Sequence, residues 1–204
     1  MSSEFDVRAG FDESDRARVG DLYWAAFGEK LHRAFRTHAL ARQIVTASLR
    51  SDRTVVATAD GEVQGVMGFH ARGAGAVDIT WRLLRAHLST AGAARALLVL
   101  APLDRRERPG VLVLDGISVA AEARGHGIGS ALLGRARTLA HDHDCRWVEL
   151  SVIDQNPRAR ALYERLGFRA VHTERLGGWA RRIYGFSAAT TMRVHCDELV
   201  RDTR

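Results

Sequence analysis

Val111-Leu112-Val113-Leu114-Asp115-Gly116-Ile117-Ser118-Val119 and, four residues further on, Arg124-Gly125-His126-Gly127-Ile128-Gly129-Ser130 decide how this chain folds. The first segment is almost wholly apolar, the pattern of a strand covered on both faces. The second is a glycine-rich turn that opens an amphipathic helix running from Gly127 to about Asp142. The first turn of a helix carries N–H groups without intrahelical partners and a partial positive charge, so a strand-to-helix turn is a ready anion site. Glycines at 125, 127 and 129 would let the backbone close around a pyrophosphate, but they would equally serve a tight turn with close helix packing. The spacing lacks the third glycine of a dinucleotide fingerprint and the Gly-Lys-Ser/Thr of a P-loop, which excludes both.

A second segment weighs on the choice. Asn156-Pro157-Arg158-Ala159-Arg160-Ala161-Leu162-Tyr163-Glu164-Arg165-Leu166-Gly167-Phe168 begins with Asn at a helix N-cap and Pro at the first helical position, and ends with Gly past the last turn. Those three are punctuation. Tyr163 is not: seven residues after Asn156, about two turns, it shares a face with the Asn amide.

Working outward, residues 4 to 9 are expected as an opening strand, and Asp12 to about Arg50 as one long or two consecutive helices, with Val19, Leu22, Tyr23, Ala26 and Phe27 at helical spacing. Arg53 to Ala59, Asp60-Gly61 and Glu62 to His70 predict a two-residue hairpin. Residues 73 to 109 form an insertion with a helix-compatible stretch around Trp81 to Leu100. Beyond the glycine turn, Arg146 to Ile153, Phe168 to Glu174 and Ala188 to Cys196 are expected as strands, with Asn156 to Leu166 as a short helix and Arg175 to Ser187 as a loop. Without an internal repeat or a low-complexity tail, residues 1 to 204 are expected as a single domain.

The chain is basic, with a formal charge of +6, yet Lys30 is its only lysine and the arginines are scattered without a block of like charge. No helix concentrates Arg with base-reading polar groups, which argues against a nucleic-acid partner. Cys145 and Cys196 are too few for a disulfide framework and match no metal-ligand spacing, so reduced thiols in a cytoplasmic setting are expected, with no metal. No uncharged apolar run approaches the roughly 20 residues of a membrane span, and no membrane association is expected.

The two motifs together resemble those of the GCN5-related N-acetyltransferases. The turn matches the family's Arg/Gln-x-x-Gly-x-Gly/Ala pattern at Arg124, Gly127 and Gly129, preceded by Ile117-Ser118-Val119. The second segment matches Asn-x-x-Ala-x-x-x-Tyr-x-x-x-Gly-Phe at Asn156, Ala159, Tyr163, Gly167 and Phe168. The resemblance implies an α/β (α+β) fold: a mixed, mostly antiparallel, V-splayed sheet of about seven strands flanked by helices. The helical insertion between strands 3 and 4 is a departure from the family's shorter connection. It also implies acetyl-CoA as cosubstrate, with the pantetheine arm beside Ile117, Ser118 and Val119 and the pyrophosphate on Arg124, Gly125, His126, Gly127, Ile128, Gly129 and Ser130. An amine of a small molecule or peptide would attack the thioester directly. On the same resemblance Tyr163 is the acid for the leaving thiolate, a backbone N–H near Val119 the oxyanion donor, and Asn156 the group that orients the pantetheine amide.

The base is not fixed by the resemblance. Period two puts Asp115 on the face of Ile117 and Val119, where a carboxylate is a base, an amine anchor or an edge charge. His70 and Glu149 are weaker candidates. Trp81 to Leu100 and Arg175 to Ser187, with Trp179, Tyr184, Arg181 and Arg182, are expected to wall the acceptor pocket. A rival reading is an inert coenzyme-A-binding or regulatory domain, which the presence of Tyr163 argues against. The acceptor's identity and homodimer formation are left open.

Overall fold

The computed structural model describes residues 5–31, 34–101, 108–175, 177–178 and 185–199. Seven strands, β1 (Asp6–Ala9), β2 (Thr54–Ala59), β3 (Glu62–His70), β4 (Val111–Val119), β5 (Trp147–Ile153), β6 (Arg169–Arg175) and β7 (Ala188–His195), form one sheet in the order β1-β2-β3-β4-β5-β7-β6. Every neighbouring pair is antiparallel except β4 and β5, which run parallel. The β2–β3 hairpin turns on Asp60 and Gly61, both at positive φ (52° and 78°), the type I′ geometry that suits the right-handed strand twist.

The helices are α1 (Arg16–Leu31), α2 (His38–Ser48), α3 (Trp81–His87), α4 (Thr90–Leu100), α5 (Ile128–Asp142) and α6 (Pro157–Arg165). The expected run from Asp12 to Arg50 is thus two helices, the second opened by Thr37, whose hydroxyl accepts from Leu40 N–H. The described residues of the insertion likewise form two helices, because Ser89 caps a fresh start by accepting from Gly92 N–H.

Apolar spacing decides the layers. On α5, Ile128, Leu132, Leu133, Ala136, Leu139 and Ala140 are buried and pack with Leu112, Leu114, Met67 and Phe69 on one face of the sheet, joined there by Tyr163 of α6 and by Leu166, its C-cap. Val19, Leu22 and Tyr23 of α1 and Val45 of α2 cover the other face against Val56, Val63 and Val66. Fully burying a leucine of this kind contributes about 1.5–3 kcal/mol. The α3–α4 insertion packs outside α2, around Ile44, Leu84, Ala93 and Ala96. Among the described residues no helix is long and apolar enough to cross a membrane.

One feature of the sheet positions everything that follows. β4 and β5 pair only over Val111–Val113 and Trp147–Glu149. Beyond Val113 the two strands part, and β4 runs on for six residues with β3 on one side and a gap on the other.

Candidate active site

The gap between β4 and β5 is an open cleft lined by Ile117, Ser118, Val119 and Arg124 on one side and by Ser151, Asn156 and Tyr163 on the other. A strand that has lost a neighbour keeps its N–H and C=O groups on that side without ladder partners, so the cleft contains a sheet edge inside the molecule.

At the end of that edge a 3-10 turn, Ala121–Ala123, leads into Arg124 and the glycine turn. Gly125 and Gly127 have φ of +87° and +83°, a region that side chains resist, and a Cβ built on either meets nothing within 4 Å. These glycines are therefore not there for helix packing: the backbone is bent to face open space. Gly127, the N-cap of α5, has no side chain with which to cap the helix, and a helix start of that kind is suited to an anion. His126 is exposed, whereas Ile128 gives its side chain to the core and has only its backbone to offer a ligand. Gly129 packs towards Leu162, and Ser130 is half-buried on the next turn. Arg124 folds its Nε onto the Val119 carbonyl, 3.2 Å away.

Asn156 caps α6, its Oδ1 accepting from Ala159 N–H at 3.1 Å. One end of the amide is committed to the fold, and the NH₂ remains as a donor beside the cleft. Two turns on, Tyr163 is 8% exposed and packs against the Phe168 ring at 5.9 Å. Burial pushes its phenol up to about 12, since the low-dielectric surroundings disfavour the phenolate. It stays protonated at any physiological pH, as a proton donor must.

Asp115 sits at a break in the regular strand. The register between β3 and β4 slips there: Gly68 opposes Gly116 and Phe69 opposes Leu114, leaving Asp115 as the extra residue of a β-bulge. Leu112, Leu114, Ile117 and Val119 all pack towards α5, but Asp115 turns to the opposite face, where a Cβ built on Gly68 would meet the Asp115 Cβ at 3.2 Å, beside Ala76 and Tyr23. Its expected kinship with Ile117 and Val119 is therefore corrected by the bulge. Its carboxylate accepts from His70 Nε2 at 2.8 Å and from Ala76 N–H at 3.2 Å while still lining the cleft.

Glu149, another expected candidate for the base, is otherwise engaged. Its Oε1 pairs with Arg108 and its Oε2 takes two hydrogen bonds from Arg193, Nε at 3.0 Å and Nη2 at 2.8 Å. A carboxylate held by two guanidiniums at the point where β4 and β5 part is a clasp for the splay rather than a proton acceptor.

Among the described residues the insertion helices do not line the cleft, so Trp81 to Leu100 is not its wall. Arg18, Asp21, Leu22 and Ala25 of α1 take that place, together with Phe186 and with Ala189 and Thr191 of β7. The α1 residues recur at three and four positions, a second stripe beside the core stripe that could have been read from the sequence. Trp179, Arg181, Arg182 and Tyr184 lie outside the described residues.

The parting of a parallel strand pair thus leaves a sheet edge inside the molecule, with the N-terminus of a helix beyond the end of that edge. Residues 16–168 match the acetyltransferase (GNAT) family, and the chain belongs to it; that family uses acetyl-CoA. Solved structures agree in fold. The chain superposes on an N-acetyltransferase from Staphylococcus aureus with a TM-score of 0.64 at 14% identity, covering 93% of this chain and 100% of that one. For a GCN5-related N-acetyltransferase from Kribbella flavida the values are 0.59, 21%, 94% and 97%. For yncA from Salmonella typhimurium, solved with its cofactor acetyl-CoA, they are 0.55, 18%, 98% and 99%. Among curated proteins, thialysine N-epsilon-acetyltransferase from Bos taurus is 41% identical over 56 residues, 28% of this chain and 33% of that protein. The same enzyme from Sus scrofa is 38% identical over 74 residues, 36% of this chain and 43% of that protein. The chain thus matches less than half the length of these curated relatives.

Proposed function

We propose that the protein transfers an acetyl group from acetyl-CoA to a primary amine of a small molecule or peptide, by direct attack and without a covalent enzyme intermediate. The observation that carries this is one cleft lined by the open β4 edge, Arg124, a protonated Tyr163 and the Asp115 carboxylate, with the glycine turn at the N-terminus of α5 following directly on Arg124. Acetyl-CoA would supply the thioester carbonyl as acyl donor. Ile117, Ser118 and Val119 would hold its amide arm as an added strand, and the Arg124–Ser130 backbone its pyrophosphate.

The remaining steps belong to this chain's own groups. Asp115 anchors the incoming ammonium and draws off one proton, which makes the nitrogen a nucleophile. As the new C–N bond forms, a β4 N–H near Val119 donates to the carbonyl oxygen. Tyr163 gives its proton to the sulfur as the C–S bond breaks, and the phenolate recovers the proton that the new amide sheds. The net change is one acetamide, one thiol and one proton released. The name of the curated relatives, which specifies an ε-amine, favours an acceptor whose amine ends a flexible chain. The two free cysteines favour a cytoplasmic setting.

Following thiol release from acetyl-CoA across lysine, thialysine, 1,4-diaminobutane and a short peptide with a free N-terminus tests the proposal. Amine-dependent release with a mass gain of one acetyl on the amine supports it. Tight acetyl-CoA binding with no release for any amine would instead establish the inert binding domain.

A further inference from the structure

Resting on the acyl-transfer reading of the cleft, we infer that His70 is a positioning residue for the reaction: it fixes the Asp115 carboxylate in the cleft, and Gly75 is the residue that allows it to.

The bulge that turns Asp115 out of the α5 face leaves a short side chain with two rotatable bonds at the rim of an open cleft. Unrestrained, such a carboxylate swings towards water. Here it is held at both oxygens, by His70 at Oδ1 and by the Ala76 N–H at Oδ2. The two side chains are only 15% and 12% exposed, so neither hydrogen bond competes with bulk solvent as a surface pair does. An ionised carboxylate only accepts, which puts the hydrogen of the pair on Nε2.

His70 ends β3, and its ring is pressed under the segment that follows it. A Cβ at Gly75 would lie 2.5 Å from both Cε1 and Nε2 of His70 and 3.0 Å from Asp115 Oδ2. No other residue fits there without displacing the ring. The segment is itself tied down by bridges from Ala71 to Ala74 and from Val77 to Leu49. Bulge, imidazole and glycine come from β4, β3 and the start of the insertion, and they meet at one carboxylate.

Three variants test this with the amine panel named above. His70→Ala removes the donor, His70→Gln restores an N–H at similar reach, and Gly75→Ala displaces the ring while leaving both side chains in the sequence. His70→Ala and Gly75→Ala are expected to lower kcat/KM for the amine about 10- to 100-fold, the cost of a reacting group misplaced by about an ångström. Affinity for acetyl-CoA should stay within about twofold, and His70→Gln should regain most of the loss. In a cycle with Asp115→Asn, the effect of His70→Ala should vanish, because it acts through that carboxylate. A lowered melting temperature with unchanged amine kinetics in His70→Ala and Gly75→Ala would overturn the inference and leave the pair as a tether for residues 71–77. Should His70→Ala fail to fold, the comparison of His70→Gln with Gly75→Ala still decides it: equal loss in both, or none in either, overturns it. Wild-type protein inactive with every amine would instead overturn the acyl-transfer reading, and this inference with it.

Discussion

At the residue scale, the proposed role of Tyr163 in catalysis and its place in the fold separate under alkali. As a proton donor its hydroxyl is expected to be worth about 10² to 10⁴ in turnover, so Tyr163→Phe should keep acetyl-CoA affinity and lose kcat by that range. Turnover within about twofold of wild type would remove it from the mechanism. As a buried phenol it also links stability to pH. Its folded pKa, about 12, lies above the value of 10.0 expected in the unfolded chain. The neutral form is thus favoured by folding, and its contribution is whole below pH 10 and lost as pH rises to about 12. The loss is on the order of 3 kcal/mol. Melting temperatures measured across that window should fall less steeply in Tyr163→Phe than in the wild type.

At the scale of elements, the glycine turn makes the sharpest demand. Gly127→Glu is expected to abolish coenzyme A binding, since a side chain would enter the open space before α5 and bring negative charge to the proposed pyrophosphate site. Because φ is +83° there, the variant also carries about 1 kcal/mol or more of backbone strain. Calorimetric titration of the folded variant checks it, and unchanged affinity would dismiss the turn as the pyrophosphate site. These elements were legible because their signals are local. Alternation and β-branching marked β2 and β3, Asp60-Gly61 their turn, and Asn156-Pro157 and Gly167 the two ends of α6. The break between α3 and α4 hid behind apolar residues on both sides of Ser89. The bulge at Asp115 left no trace, because period two assumes a strand without an extra residue. The clasp on Glu149 was invisible for another reason: its partners are 41 and 44 residues away in the chain.

At the scale of the whole molecule, that clasp holds the place where the sheet parts. Glu149→Ala would leave Arg108 and Arg193 facing each other at the apex. Their side chains are 54% and 25% exposed and can turn towards water, so the cost should be about 1–2 kcal/mol, below that of a wholly buried pair. Denaturant unfolding measures it directly. The family fold was readable from two short motifs because they sit on either side of this apex, one after β4 and one after β5. What lines the acceptor end was not, since it depends on which helix lies across the opening.

The three-residue seam between β4 and β5 also determines how the protein should respond to heat. The proposed pairing of acetyl-CoA with β4 would supply hydrogen bonds that another sheet makes within its own chain, so folding and ligand occupancy would draw on the same free energy. Acetyl-CoA at a hundredfold excess over its dissociation constant should add about 2.7 kcal/mol to the folded state. In a domain of this size that corresponds to a rise of roughly 5–10 °C in Tm. Melting then becomes a way to rank acyl donors before any acceptor is known, and a donor that raises Tm without slowing amide exchange at Ile117–Val119 would be one that binds elsewhere.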